Sequence, residues 1–163
     1  MADKNPSSQP TVSRDSVTTE RERTPFGQIE YRRHPDHILV ELRGHSARDL
    51  FRLAAWALAR VQVSEWVDTN SIDEQVELES DGWDDLVVNW LNQLLALSEK
   101  HRASWIDVDF PRLEETSLRA SVKGRAWPDR PDVPSREVKA AAYTGLEVVP
   151  GPSLWMARVT IEF

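Results

Sequence analysis

The stretch Arg136 to Val148, REVKAAAYTGLEV, followed after a short turn by Ser153 to Phe163, SLWMARVTIEF, decides how this chain is read. In the second segment Trp155, Ala157, Val159, Ile161 and Phe163 share one parity and leave Arg158, Thr160 and Glu162 on the other. That is the period-2 pattern of a strand with one buried face. The first segment, from Glu137, reads as a small, apolar strand with Lys139 inside it. A lysine within a strand must reach solvent or meet a partner, and terminal residues stay loose unless a sheet holds them. The C-terminal end of the sequence is therefore a candidate site, with Lys139 at its centre.

Upstream of that pair, Ser104 to Phe110 and Ser117 to Lys123 read as two more strands, and WPDRPDVPS at 127–135, with three prolines, as an intervening loop. From Phe26 a strand-like opening leads to HILVELR, where Ile38, Val40 and Leu42 alternate with polar neighbours until Gly44 breaks the strand. Ser46, with Asp49 three residues on, caps a first helix whose Leu50, Leu53, Ala54, Ala57, Leu58 and Val61 recur at helical spacing. Asn70 to Gln75 reads as a loop, Val76 and Leu78 as a short strand, and Ser80 or Asp81 as the cap of a second helix running to Lys100. Leu86, Val87, Trp90, Leu91, Leu94 and Leu95 form its buried stripe, while Asp84, Asp85, Asn89 and Asn92 face elsewhere. The early acids suit the positive end of the helix dipole better than a catalytic carboxylate pair. This order of elements predicts an α+β fold, a single domain over residues 26–163 with two helices packed on a mostly antiparallel mixed sheet. Residues 1–25, rich in Ser, Thr, Pro and charge, have little to bury and are expected to remain outside it as a disordered tail.

Composition narrows the function. The 163 residues, 40% hydrophobic, suit one core, and 27 acidic against 20 basic residues give a net charge of -7. That balance argues against a broad phosphate-binding face, so DNA is not an expected partner and RNA is contacted indirectly if at all. The absence of Cys removes disulfides, thiolate zinc sites and Cys nucleophiles. The N-terminal MADKNPSSQP lacks the apolar core of a secretory signal, and no apolar run approaches the roughly 18 residues that span a bilayer. The expectation is a soluble, cytoplasmic protein with no membrane partner.

Three blocks, taken together, resemble the archease family. HPDHILVELRGHSARDLFRLAAWALARV is similar to that family's opening strand and helix, DGWDDLVVNWLNQLLALSEKH to its second helix, and SLRASVKG with REVKAAAYTGLEV and the terminal strand to its closing sheet. The resemblance covers Tyr31 to Phe163 in the family's order. It implies a small protein cofactor, not a stand-alone enzyme, that activates a GTP-dependent RNA-splicing ligase in tRNA splicing or RNA repair, promoting guanylylation and repeated turnover. It also implies a divalent cation, calcium in that family, held near the chain end by an acid of an HTAD motif and a C-terminal acid, beside the lysine of an EVKA motif. On this sequence the lysine is Lys139 and the C-terminal acid is Glu162, next to the terminal carboxylate of Phe163.

The first acid departs from the pattern. Counting back from Gly44 sets His37 on the family's usual Asp and moves the acid to Asp36. A one-residue offset turns a strand side chain to the opposite face, so Asp36 substitutes only if the strand begins with a bulge or turn. If His37 faces the site instead, imidazole with Glu162 suits zinc or manganese better than calcium. The metal candidates are thus Asp36, His37, Glu162 and Phe163, and the functional residue is Lys139. A rival reading is a divergent archease-fold module that binds proteins in a chaperone-like role, without ligase activation or metal. Plainer readings stand beside these: Lys139 as an edge-strand lysine that discourages aggregation, and Trp66, Trp83 and Trp127 as residues buried under loops instead of partner anchors.

Overall fold

The computed structural model describes residues 17–68, 71–131 and 136–163. Its elements run β1 (Thr18–Thr24), β2 (Gly27–Arg33), β3 (His37–Gly44), α1 (Ala47–Gln62), β4 (Ile72–Glu79), α2 (Trp83–His101), β5 (Ala103–Glu114), β6 (Ser117–Ala126), β7 (Ala140–Val149) and β8 (Trp155–Glu162). The expected α+β architecture is present, with the strands divided into two sheets. One has five strands in the order β1-β2-β3-β8-β7, the other three in the order β4-β6-β5, and every pairing is antiparallel.

Both helices touch both sheets, so the core lies in the helical layer between them. Phe51 of α1, Trp90 of α2 and Trp105 of β5 are almost wholly buried there. Their polar atoms are satisfied: Trp90 Nε1 donates to the Phe51 carbonyl at 3.0 Å and Trp105 Nε1 to the Leu94 carbonyl at 3.1 Å. No helix among the described residues is long and apolar enough to cross a membrane.

Ser46 caps α1 as expected, its Oγ accepting the Asp49 N–H at 3.1 Å. The cap of α2 differs. Gly82 occupies the N-cap without a side-chain bond, and Ser80 Oγ instead accepts from Asn89 Nδ2 at 3.0 Å. β4 starts at Ile72, inside the segment expected to be a loop. Its alternation is disguised by Glu74, which takes a half-buried position and meets His101 Nε2 at 2.6 Å.

The N-terminal boundary is also different. Residues 1–16 lie outside the described residues, but β1 forms within the segment expected to be a tail. What holds it is polar: Glu22 accepts the Tyr31 hydroxyl at 2.9 Å and Trp56 Nε1 at 2.8 Å, with Arg60 at 3.6 Å. The β1–β2 hairpin turns at Gly27, whose φ of 146° favours glycine and whose absent Cβ leaves room for the Arg43 carbonyl.

Candidate functional site

β3, β8 and β7 bring three sequence-distant segments to one end of the five-stranded sheet. The register sets His37 directly across from Glu162, with Ala140 completing the row. Opposed residues project to the same face. Since Val159 and Ile161 of β8 are buried and Glu162 is exposed, that face is the outer one. His37 thus shares a face with Glu162.

Asp36 is not a strand residue. It sits with Pro35 at the tip of the β2–β3 turn, closed by a 2.9 Å bond from the His34 N–H to the His37 carbonyl. The Asp36 carbonyl accepts the Phe163 N–H at 3.1 Å, which ties the end of β8 to the turn. Its exposed carboxylate meets His37 Nδ1 at 2.8 Å. That hydrogen bond is the main cause holding the Asp36 carboxyl below its ordinary range. The His34 and His37 rings stack at 4.2 Å, 11° from parallel.

Lys139 precedes β7 instead of lying within a strand. Its backbone N–H donates to the Glu162 carbonyl at 2.8 Å. The side chain is exposed and, among the described residues, forms no ion pair; the link to Glu162 is made by the backbone. The segment leading to Lys139 is held by Arg136, for which the sequence carried no signal beyond its place in the REVKA block. The Arg136 N–H donates to the Gln62 carbonyl at 2.8 Å, its Nη2 to the Pro35 carbonyl at 3.1 Å, and its guanidinium stacks 3.6 Å from the centre of the Phe163 ring. One side chain thus joins the Lys139 segment, the β2–β3 turn and the end of β8.

Among the described residues no group of three or more His, Asp or Glu side chains is placed to hold a metal, and Asp36 is engaged by His37. What the arrangement offers is an exposed lysine, Lys139, on a backbone bonded to Glu162, at the sheet end that also carries the exposed Asp36 and Glu162 carboxylates and the His37 imidazole.

Trp66, Trp83 and Trp127 are half-buried, and Trp83 opens α2 instead of lying in a loop. Trp83 stacks edge-on against Trp155 at 4.9 Å, Trp66 lies 5.5 Å from Trp56, and Trp127 Nε1 donates to Ser104 Oγ at 2.7 Å.

Residues 30–162, which carry this sheet end and both helices, match the Archease protein family. The chain belongs to that family. Protein archease from Methanosarcina barkeri is 25% identical over 139 residues, spanning 83% of this chain and 95% of that protein. Among solved structures, Methanobacterium thermoautotrophicum protein 1598 superposes with a TM-score of 0.63 at 19% identity, over 83% of this chain and 98% of that one. An archease described as a possible chaperone, from Thermotoga maritima, gives 0.55 at 16% identity, over 77% and 89%. The archease fold accounts for the two-helix, antiparallel arrangement found here.

Proposed function

We propose that this archease-family chain is a cytoplasmic protein cofactor, without catalysis of its own, that activates a GTP-dependent RNA-splicing ligase in tRNA splicing or RNA repair. The observation that carries the reading is Lys139: an exposed ammonium without an ion pair among the described residues, on a backbone bonded to β8. In phosphoryl transfer the protein contributes mainly positioning and electrostatic stabilisation. A lysine projecting from an ordered sheet end can lend positive charge to a partner's site, and Arg136 keeps its segment in place. RNA is met through the ligase, in keeping with the net charge of -7.

The test is multiple-turnover RNA ligation by the cognate ligase at limiting concentration, with GTP and manganese, with and without this chain. Stimulation supports the reading. Its absence with a verified active ligase favours a protein-binding, chaperone-like role, the reading to which the Asp36–His37 pair and the missing three-donor set lend weight.

A further inference from the structure

The outer face of the five-stranded sheet is built in rows, because residues opposed in register project to the same side. One row runs Arg21, Glu30, Glu41 and Arg158 across β1, β2, β3 and β8. Its charges are matched in place. Arg21 meets Glu30 at 3.0 Å and Arg158 meets Glu41 at 3.2 Å, while Arg32 lies 3.0 Å from Glu30 and 3.7 Å from Glu41.

The neighbouring row, next to the β1–β2 turn, is different. It runs Arg23, Gln28, Arg43, Met156 and Val149 across all five strands and contains no acid. Arg23 and Arg43 are exposed, and among the described residues neither forms an ion pair. Their Cα atoms are two strand spacings apart, about 10 Å, on either side of a neutral amide. Two uncompensated guanidiniums on one face of a chain with a net charge of -7 make a local field that attracts carboxylates. Past Arg43 the row becomes apolar, with Met156 half-buried and Val149 45% exposed. The surface is hollowed along the same line. Arg23, Gln28 and Arg43 wall a hollow of about 340 Å³, and Arg43, Met156 and Val149 wall a second of about 280 Å³, so that Arg43 stands between the two.

We propose that this row is a docking track for an extended acidic segment of a partner protein, with carboxylates on Arg23 and Arg43 and an apolar side chain on Met156 and Val149. Guanidinium and carboxylate match as bidentate pairs, and Gln28 offers an amide donor between them. From Arg43 to Val149 is again about 10 Å, which an extended chain covers in about three residues. The acidic and apolar side chains are therefore close neighbours in the partner's sequence. The acids around the first hollow do not cancel its charge, since Glu30 and Glu41 are held by other arginines and Glu22 by Tyr31, Trp56 and Arg60. They do repel a continuous phosphate backbone, as does Glu147 beside the second hollow, so nucleic acid fits the face less well. The track lies six residues along β3 from His37, about 20 Å away, and does not rest on the ligase reading of the Lys139 centre.

The experiment follows the backbone amides of the full, nitrogen-15-labelled chain by NMR during titration with a capped peptide of four glutamates followed by Gly-Leu-Val. A run of glutamates keeps the test independent of register. The peptide is expected to shift the Arg23, Gln28 and Arg43 amides saturably, and to bind at least about tenfold more tightly than its counterpart with glutamines, the effect of one charge-assisted pair. Lys139→Ala should leave that affinity unchanged. A chain carrying both Arg23→Glu and Arg43→Glu, two exposed positions outside the core, is expected to lose the acidic peptide at least about tenfold and to prefer one with lysines in place of the glutamates. Equal affinity for the glutamate and glutamine peptides overturns the assignment. So do shifts centred on Lys139, undiminished binding by the double variant, tighter binding of a twelve-nucleotide oligouridylate, or no saturable shift at all.

Discussion

Asn92 of α2 makes with Ala141 of β7 both hydrogen bonds that a neighbouring strand would make. Its Nδ2 donates to the Ala141 carbonyl at 3.2 Å and its Oδ1 accepts the Ala141 N–H at 2.9 Å. β7 is an edge strand, and unpaired strand edges invite other chains. Further along, Asp84 accepts the Val148 N–H at 3.1 Å. Polar residues of α2 that lie off its apolar stripe therefore cover a sheet edge and fix the strand that follows Lys139.

Asn92→Ala should accordingly destabilise the fold by about 1–3 kcal/mol, because it leaves two groups of the buried Ala141 peptide without partners. Urea denaturation measures the loss, and the Ala141 amide should exchange with solvent faster than in the wild type. A change below about 0.5 kcal/mol, the range of ordinary surface substitutions, would show that water replaces Asn92 without cost.

Glu22 is the corresponding anchor for β1. Glu22→Ala removes the acceptor for the Tyr31 hydroxyl and Trp56 Nε1 together, and a loss of about 1–3 kcal/mol is expected. Burial, reinforced by the bond to Glu22, pushes the Tyr31 hydroxyl well above the ordinary range, so ionisation of the phenol does not compensate. Hydrogen exchange over residues 18–24 should rise selectively. Unchanged protection there would mean that backbone pairing with β2 suffices.

The two helices and the α+β class were legible because an apolar stripe repeated over 16 and 19 residues cannot serve a strand, and because Ser46 is a cap in sequence as in structure. β1 was not, since its attachment is backbone pairing with β2 and polar side-chain contacts, not a run of apolar residues. The start of β4 was hidden by Glu74, whose inward place is stabilised by His101, a partner 27 residues away. At the site, sequence put Lys139, Asp36, His37 and Glu162 on the list, but pairing register is a long-range property. A shift of one residue exchanges Asp36 and His37 between faces, and only the His37–Glu162 pairing decides which faces the row. Arg136 and Asn92 act through backbone carbonyls and amides of distant segments, which leave no pattern in a single chain.

Glu74 also predicts an acid limb. The hydrogen bond from His101 is the main cause lowering its pKa. A carboxyl depressed on folding stabilises the native state above its unfolded pKa, and that contribution is lost as pH falls through the folded value. Stability should thus decline from about pH 4.3 downward, and less steeply in Glu74→Gln, whose absolute stability at neutral pH is lower. Identical slopes for the two proteins between these limits would remove Glu74 as a source of the acid sensitivity.

Lys139→Ala should abolish stimulation of the ligase while changing stability by less than about 0.5 kcal/mol, since the side chain is exposed and the bond to Glu162 uses a backbone N–H that alanine retains. Arg136→Ala is expected to reduce stimulation in part, by loosening the same segment from Pro35 and Phe163. A Lys139→Ala protein that drives repeated turnover at the wild-type rate would remove the lysine from the mechanism.

The last prediction concerns the cation. His37 opposes Glu162 in register and engages Asp36 with Nδ1, so one imidazole holds the row position across from Glu162 and also ties up the Asp36 carboxylate. His37→Asp changes both conditions: it sets two carboxylates side by side on one face and releases the Asp36 side chain beside them. Oxygen donors of this kind suit calcium. Without the ion the variant should be less stable than wild type by about 0.2–1 kcal/mol, the cost of like charges on opposed strand residues. With calcium it should recover, and calorimetry should show affinity at least about tenfold above that of the wild type. If the wild type binds calcium as tightly as the variant, the Asp36–His37 pair opens on binding and is no barrier. If neither binds, the three carboxylates stay too far apart at this sheet end for the substitution to assemble a site.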